Sequence, residues 1–116
     1  EDSGGQGRFR GGLGLVREFE VQTAGTLSAN LDRFKFPPYG LAGGKPGMTG
    51  ELTITDTHGG ASSLPSKVPS LKLTPGDRVR LATSGGGGFG PPEQRVDHDF
   101  TRDITNGYIT KPFASL

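Results

Sequence analysis

Glycine and proline fall in three blocks, Gly4 to Gly14, Pro37 to Gly50 and Gly85 to Pro92, and the last holds four glycines in a row. Blocks of this kind do not carry helices, because glycine loses the most backbone freedom on ordering and proline lacks an amide donor. With 21 glycines and 9 prolines among 116 residues, the composition approaches that of a low-complexity chain. The stretches between the blocks argue against disorder, since they alternate apolar and polar residues as strands do. The expectation is a set of strands separated by demanding turns.

In "LGLVREFEVQT" Leu13, Leu15, Phe19 and Val21 share one face and Glu18, Glu20 and Gln22 the other, which predicts a half-buried strand. Arg17 falls on the apolar face, where it must be paired or reach the edge. After a turn at Ala24 and Gly25, Leu27, Ala29 and Leu31 alternate, and a phase change at Asp32 and Arg33 reads as a bulge before Phe34 and Phe36. "ELTITDT" predicts a strand ended by the "HGG" turn at 58–60. Leu71 with Leu73 and Val79 with Leu81 flank "TPGD", where Pro75 and Gly76 suit the centre of a type II turn.

One helix is expected within "PPEQRVDHDFTRDITNG". Val96, Phe100 and Ile104 recur every four residues, Pro92 and Glu93 suit a first turn, and Asn106 with Gly107 suit a cap. The reading is an all-β fold, a small β-barrel or β-sandwich of five to seven strands with one short C-terminal helix. Residues 1–116 form a single domain, β-rich with glycine-rich loops over 1–90, helical within 91–107, and a tail over 108–116. The opening "EDSGGQGRFRGG", without an initiator Met, predicts a segment of a longer polypeptide.

Gly85, Gly87 and Gly90 satisfy a G-x-G-x-x-G pattern. A dinucleotide site also needs a helix opening on the last glycine and a further parallel strand bearing an acid. Pro91 and Pro92 stand at the start of the helix and only 26 residues follow Gly90, so the rest of that unit is missing. No Lys-Ser/Thr follows for a Walker loop either. Gly85, Gly86, Gly87 and Gly88 instead permit positive φ values and close backbone approach, and their N–H groups are candidates for an anion nest or for contact with another subunit. "DHD" at 97–99 points three ways on a helix and reads as a solvated face rather than a metal site. Asp32 beside Arg33, and Arg8 with Arg10, are candidates for carboxylate or phosphate contacts, weighed against structural ion pairs. No nucleophilic constellation is defensible among Ser3, Ser84, His58 and His98.

A net charge of +1 gives no field that would steer the chain to nucleic acid or to an anionic membrane. Absent cysteines leave no disulfides or thiolate metal sites and fit a reducing compartment, and no apolar run reaches membrane-spanning length. A cytoplasmic location is the default expectation.

Taken in order, "SGGQGRFRGGLGLVREFEV", "LSANLDRFKFPPYGLAGGKPG", "LPSKVPSLKLTPGDRVRLATSGGGGFGPPEQR" and "DITNGYIT" closely resemble the C-terminal part of the hydantoinase B family, which includes the matching part of 5-oxoprolinase and subunits of acetone and acetophenone carboxylases. The resemblance covers nearly the whole chain. It implies ATP-dependent opening of a cyclic amide, or a related ATP-driven carboxylation, shared with an A-type partner of actin-like nucleotide-binding fold. It also implies that ATP and a divalent metal belong to the complete enzyme and not to this chain, the metal ligands lying upstream in the remainder of the B-type polypeptide. Two departures stand out: Pro91 replaces an acid common after the glycine run, and the chain ends at "KPFASL" where the family usually continues. The expected role is therefore structural or site-completing, with no catalytic residue here. A freestanding anion-binding β-barrel and a pure assembly domain are the competing expectations.

Overall fold

Alternation along six segments produces two antiparallel sheets in the computed structural model, which describes residues 1–113. The larger sheet orders β1 (Val16–Glu20), β6 (Arg78–Ala82), β3 (Glu51–Thr55) and β4 (Ala61–Leu64) side by side. The smaller pairs β2 (Gly25–Asn30) with β5 (Lys67–Leu73). In the larger sheet Phe19 lies opposite Val79 and Val79 opposite Ile54, while Leu81 faces Leu52, so one surface is apolar. Glu18, Glu20, Arg78, Arg80, Thr53 and Thr55 take the other surface, where Arg78 lies 3.9 Å from Glu18 and 3.5 Å from Glu20.

Leu52, Val68, Leu73 and Val79 are buried together, with Leu27, Ile54, Leu71 and Leu81 packed around them, so the core lies between the two sheets. The architecture is all-β with one short helix. Both sheets remain open, sandwich-like, and neither closes into a barrel.

The local chemistry explains most of the turns. Gly76 has φ 95° and the Asp77 N–H donates to Thr74 at 3.1 Å, the type II turn that Pro75 and Gly76 encode. In the β3–β4 hairpin the Asp56 carboxylate accepts from the His58 and Gly60 N–H groups, each at 2.9 Å, while Gly59 takes φ 83°. β4 itself was not expected, because "ASSL" carries almost no strand signal and is recruited by the hairpin.

Two expectations are corrected. β1 is exposed along its length, Phe19 included, because none of its residues joins the core; Arg17 consequently sits in solvent and needs no partner. The phase change at Asp32 and Arg33 is not a bulge but a turn residue, Arg33, at φ 63°, and the register shift of β2 falls between Leu27 and Ala29, where the Ser28 hydroxyl donates to the Pro69 carbonyl at 2.7 Å. The apolar repeat of the helical segment is only partly covered: Phe100 is half-buried against Arg95 and Phe113, while Val96, just before the helix, and Ile104 are exposed. That helix, α1 (Asp97–Thr105), follows a separate 3-10 turn at Pro92–Gln94. Its end is capped as Asn106 and Gly107 imply, with Gly107 at φ 72° and the Tyr108 N–H donating to the Asp103 carbonyl at 2.8 Å. The expected tail over 108–116 is described as far as Phe113, and residues 114–116 lie outside the described residues.

Candidate functional site

The three glycine and proline blocks, far apart in sequence, pack side by side. At their centre runs Ser84 to Gly90, outside any regular strand. The Gly85 N–H donates to Met48 at 3.0 Å, Gly86 to Gly12 at 2.8 Å and Gly88 to Lys45 at 2.9 Å, while Gly5 and Leu41 donate back to the Gly86 and Gly88 carbonyls. Phe89 and Phe9 exchange both bonds at 2.9 Å. The run is thus held by neighbours on several sides, as a strand in a flat sheet is not.

Such a bundle has room only for backbone. A Cβ at Gly87 would overlap the Tyr39 carbonyl, and one at Gly88 the Gln6 carbonyl. Close approach, then, explains the run; none of Gly85 to Gly88 occupies the left-handed region that their freedom also allowed. The hydrogen bonds of the run also bear on the expected anion nest. The N–H groups of Gly85, Gly86 and Gly88 already donate to carbonyls, so they are spent inside the protein. Among the described residues the Gly87 N–H donates to no backbone carbonyl, which leaves one of the four expected donors.

Arg10 proves to be part of a clamp. Its Nε donates to the Asp103 carboxylate at 2.7 Å, and Arg95 donates to the same Oδ2 from the other side. Asp103 is fully buried and Arg95 nearly so. Arg95 also donates to the Arg8 carbonyl at 3.3 Å and lies against the rings of Phe100 and Phe113. Burial would raise the Asp103 pKa, but the hydrogen bond from Arg10 and the charges of Arg10, Arg95 and Arg102 together hold it below the ordinary carboxylate value. Asp2 adds a second tie, accepting from the Thr110 N–H at 2.9 Å and its hydroxyl at 2.7 Å, which lowers its pKa as well. Both contacts bind the N-terminal segment to the C-terminal one.

Asp32 and Arg33 sit elsewhere, on the rim of an open depression of about 450 Å³ shared with Phe34, Lys35, Phe36 and Ser66. Lys67 reaches Asp32 at 3.2 Å and donates to the Leu31 carbonyl at 2.7 Å. The Arg33 carbonyl accepts from the Gly50 N–H at 2.9 Å, which ties this turn to the second glycine block. The residues singled out in the sequence therefore occupy three parts of the fold, the bundle, the clamp and this rim, and do not converge.

Sequence reasoning missed Arg95 and Asp103. The faint signal is Asp103 three positions after Phe100 on one helical face, but its partner Arg10 stands 93 residues away. Within "DHD", Asp97 and His98 are exposed and Asp99 lies 3.3 Å from Arg102. Among the described residues, no three His, Asp or Glu side chains gather as a metal would require. The donors present among the described residues fit neither a nucleotide phosphate nor a metal ion.

The fold has known counterparts. A protein of Pseudomonas sp. (strain NS671), named as the B-type subunit of a D-/L-hydantoinase, is 35% identical over 109 residues, 93% of this chain and 18% of that protein. The 5-oxoprolinase of Saccharomyces cerevisiae is 38% identical over 89 residues, 76% of this chain and 7% of its own length. The chain therefore spans less than a fifth of these relatives. The crystal structure of the ATP-dependent caprolactamase from Pseudomonas jessenii superposes with a TM-score of 0.75 at 26% identity, covering 92% of this chain and 19% of that one. A nucleotide-free acetone carboxylase shares the fold, with a TM-score of 0.70 at 23% identity and coverage of 92% and 18%. The family described as hydantoinase B/oxoprolinase matches residues 1–92, the strands and all three glycine blocks, and the chain belongs to that family.

Proposed function

We propose that this chain acts as a rigid, site-completing part of an ATP-dependent cyclic-amide hydrolase of the hydantoinase or oxoprolinase kind. The observation that carries it is the sealed glycine bundle within a family-matched segment: the backbone is organised with great economy of space, yet it offers no nucleophile, base or ligand set. The substrate is a small ring amide such as hydantoin or 5-oxoproline. Amide resonance makes that bond unreactive, and phosphorylation of the carbonyl oxygen by ATP converts the oxygen into a leaving group. Such chemistry needs a closed, water-poor cleft with a nucleotide and a divalent metal. The remainder of the B-type polypeptide and an A-type partner supply these, in the cytoplasm.

The contribution of this chain is geometric. Gly85 to Gly88 fix the backbone path, and Arg10 holds the C-terminal helix against it. Asp32 and Arg33, on an exposed turn whose φ of 63° is unusual for a side-chain-bearing residue, are the groups that reach toward the assembled site. Turnover of hydantoin and 5-oxoproline, followed as ADP release, tests the reading. The isolated chain is expected to be inactive, and the B-type polypeptide containing it, with its A-type partner, to be active. Turnover by the isolated chain overturns the proposal.

A further inference from the structure

The glycine bundle has no interior that accepts side chains, so the apolar side chains it carries lie outside it. Three of them meet towards its Gly90 end. Phe9 and Phe89 pair through two backbone hydrogen bonds and set their rings 6.3 Å apart, and Leu41 bridges Phe89 from another segment. Phe9 is 53% exposed, Leu41 57% and Phe89 52%. Arg8 lies over the Phe9 ring at 5.2 Å.

Single exposed apolar residues are ordinary, but a cluster built from three separate segments on a fixed backbone is a preorganised docking ridge. Its backbone is bonded on several sides, so the rings do not reach cover by a local rearrangement. Aromatic side chains with a neighbouring arginine are also the groups that dominate association energies.

We infer that this ridge docks onto the remaining body of the B-type polypeptide in which the segment operates, an inference that rests on the family reading above. One observation selects that occupant, and a second shows that surface is free for it. In the Pseudomonas hydantoinase relative about four-fifths of the polypeptide lies outside the part this chain matches, so ridge and body are tethered there. Tethering gives an effective concentration on the order of millimolar, which a free second copy does not reach at ordinary protein levels. The second observation is shape. The radius of gyration is 17.1 Å, against about 13 to 14 Å for a compact domain of this length, so much of the surface is left uncovered by the chain itself.

The test uses the full-length B-type polypeptide assembled with its A-type partner. A photoreactive benzoylphenylalanine is placed at Phe89, and at the exposed Gln22 as a control. Irradiation is expected to give adducts within the same polypeptide, outside this segment, well above the control. In a second arm, Phe9→Ser with Phe89→Ser is expected to weaken docking on the order of thirtyfold, read as faster protease release of the segment. The same pair is expected to leave the melting temperature of the isolated chain nearly unchanged. Adducts to the A-type partner or to a second copy, no adduct above the control, or a melting loss that accounts for the protease release each overturn the inference. Loss of ring-opening activity alone speaks to the functional reading, because neither readout needs turnover.

Discussion

Asp103 shows how much one residue decides. A carboxylate without solvent access is tolerable only while Arg10 and Arg95 face it, and removing the charge strands both guanidiniums against the bundle. Asp103→Asn is expected to cost about 3 to 5 kcal/mol, measured by urea unfolding at neutral pH. The pH dependence follows from the lowered pKa. A group depressed in the folded state contributes stability that is present above its unfolded value of 3.8 and is lost as pH falls through the lower folded value. Acid unfolding below about pH 4 is therefore expected to be steeper in the wild type than in Asp103→Asn, as followed by circular dichroism.

At the scale of elements, the bundle differs from the sheets in what it demands of sequence. A strand tolerates exchange on its open face, whereas the glycine run meets backbone wherever a side chain would go. Gly87→Ala forces the Tyr39 segment aside and is expected to destabilise the chain by about 1 to 3 kcal/mol or more. Gly12→Ala makes the contrasting case, since its added Cβ meets nothing within 4 Å and its φ is ordinary. There the loss of unfolded-state freedom is expected to leave stability unchanged or to raise it by about 0.4 to 1 kcal/mol. Thermal melts of the two variants side by side check the difference. The helix follows another logic: the charged Asp103 anchors it through Arg10 and Arg95, Phe100 is half-buried against Arg95, and Ile104 stays exposed.

For the whole molecule, the extents of 51 × 26 × 17 Å describe a long, thin body with a small core. Unfolding exposes less new surface than a compact chain of equal length would, so the urea m-value is expected at the low end of the usual range of about 1 to 3 kcal/mol/M. The same shape explains what the sequence shows and what it hides. β3 and β6 were legible because Leu52, Ile54, Val79 and Leu81 alternate and are covered on that face. β1 alternates just as well but is uncovered, and alternation encodes a face without saying what lies over it. The TPGD and HGG turns were legible because proline and glycine fix their dihedrals locally. The bundle and the clamp were not, because each depends on partners from opposite ends of the chain, and a glycine records the need for space without naming the neighbour that takes it.

That arrangement bears on how the chain is made. The central run is synthesised after both of the blocks that bond to it, so the N–H of Gly5 finds the Gly86 carbonyl only once most of the chain exists. Closing such long loops costs entropy before any bond forms, and pairing of this kind is slow. The β2–β5 and β3–β4 pairs are able to form during that interval, while the first two glycine blocks, with the Phe9 ring and the Leu41 side chain among them, wait in water until the last segment of the bundle arrives.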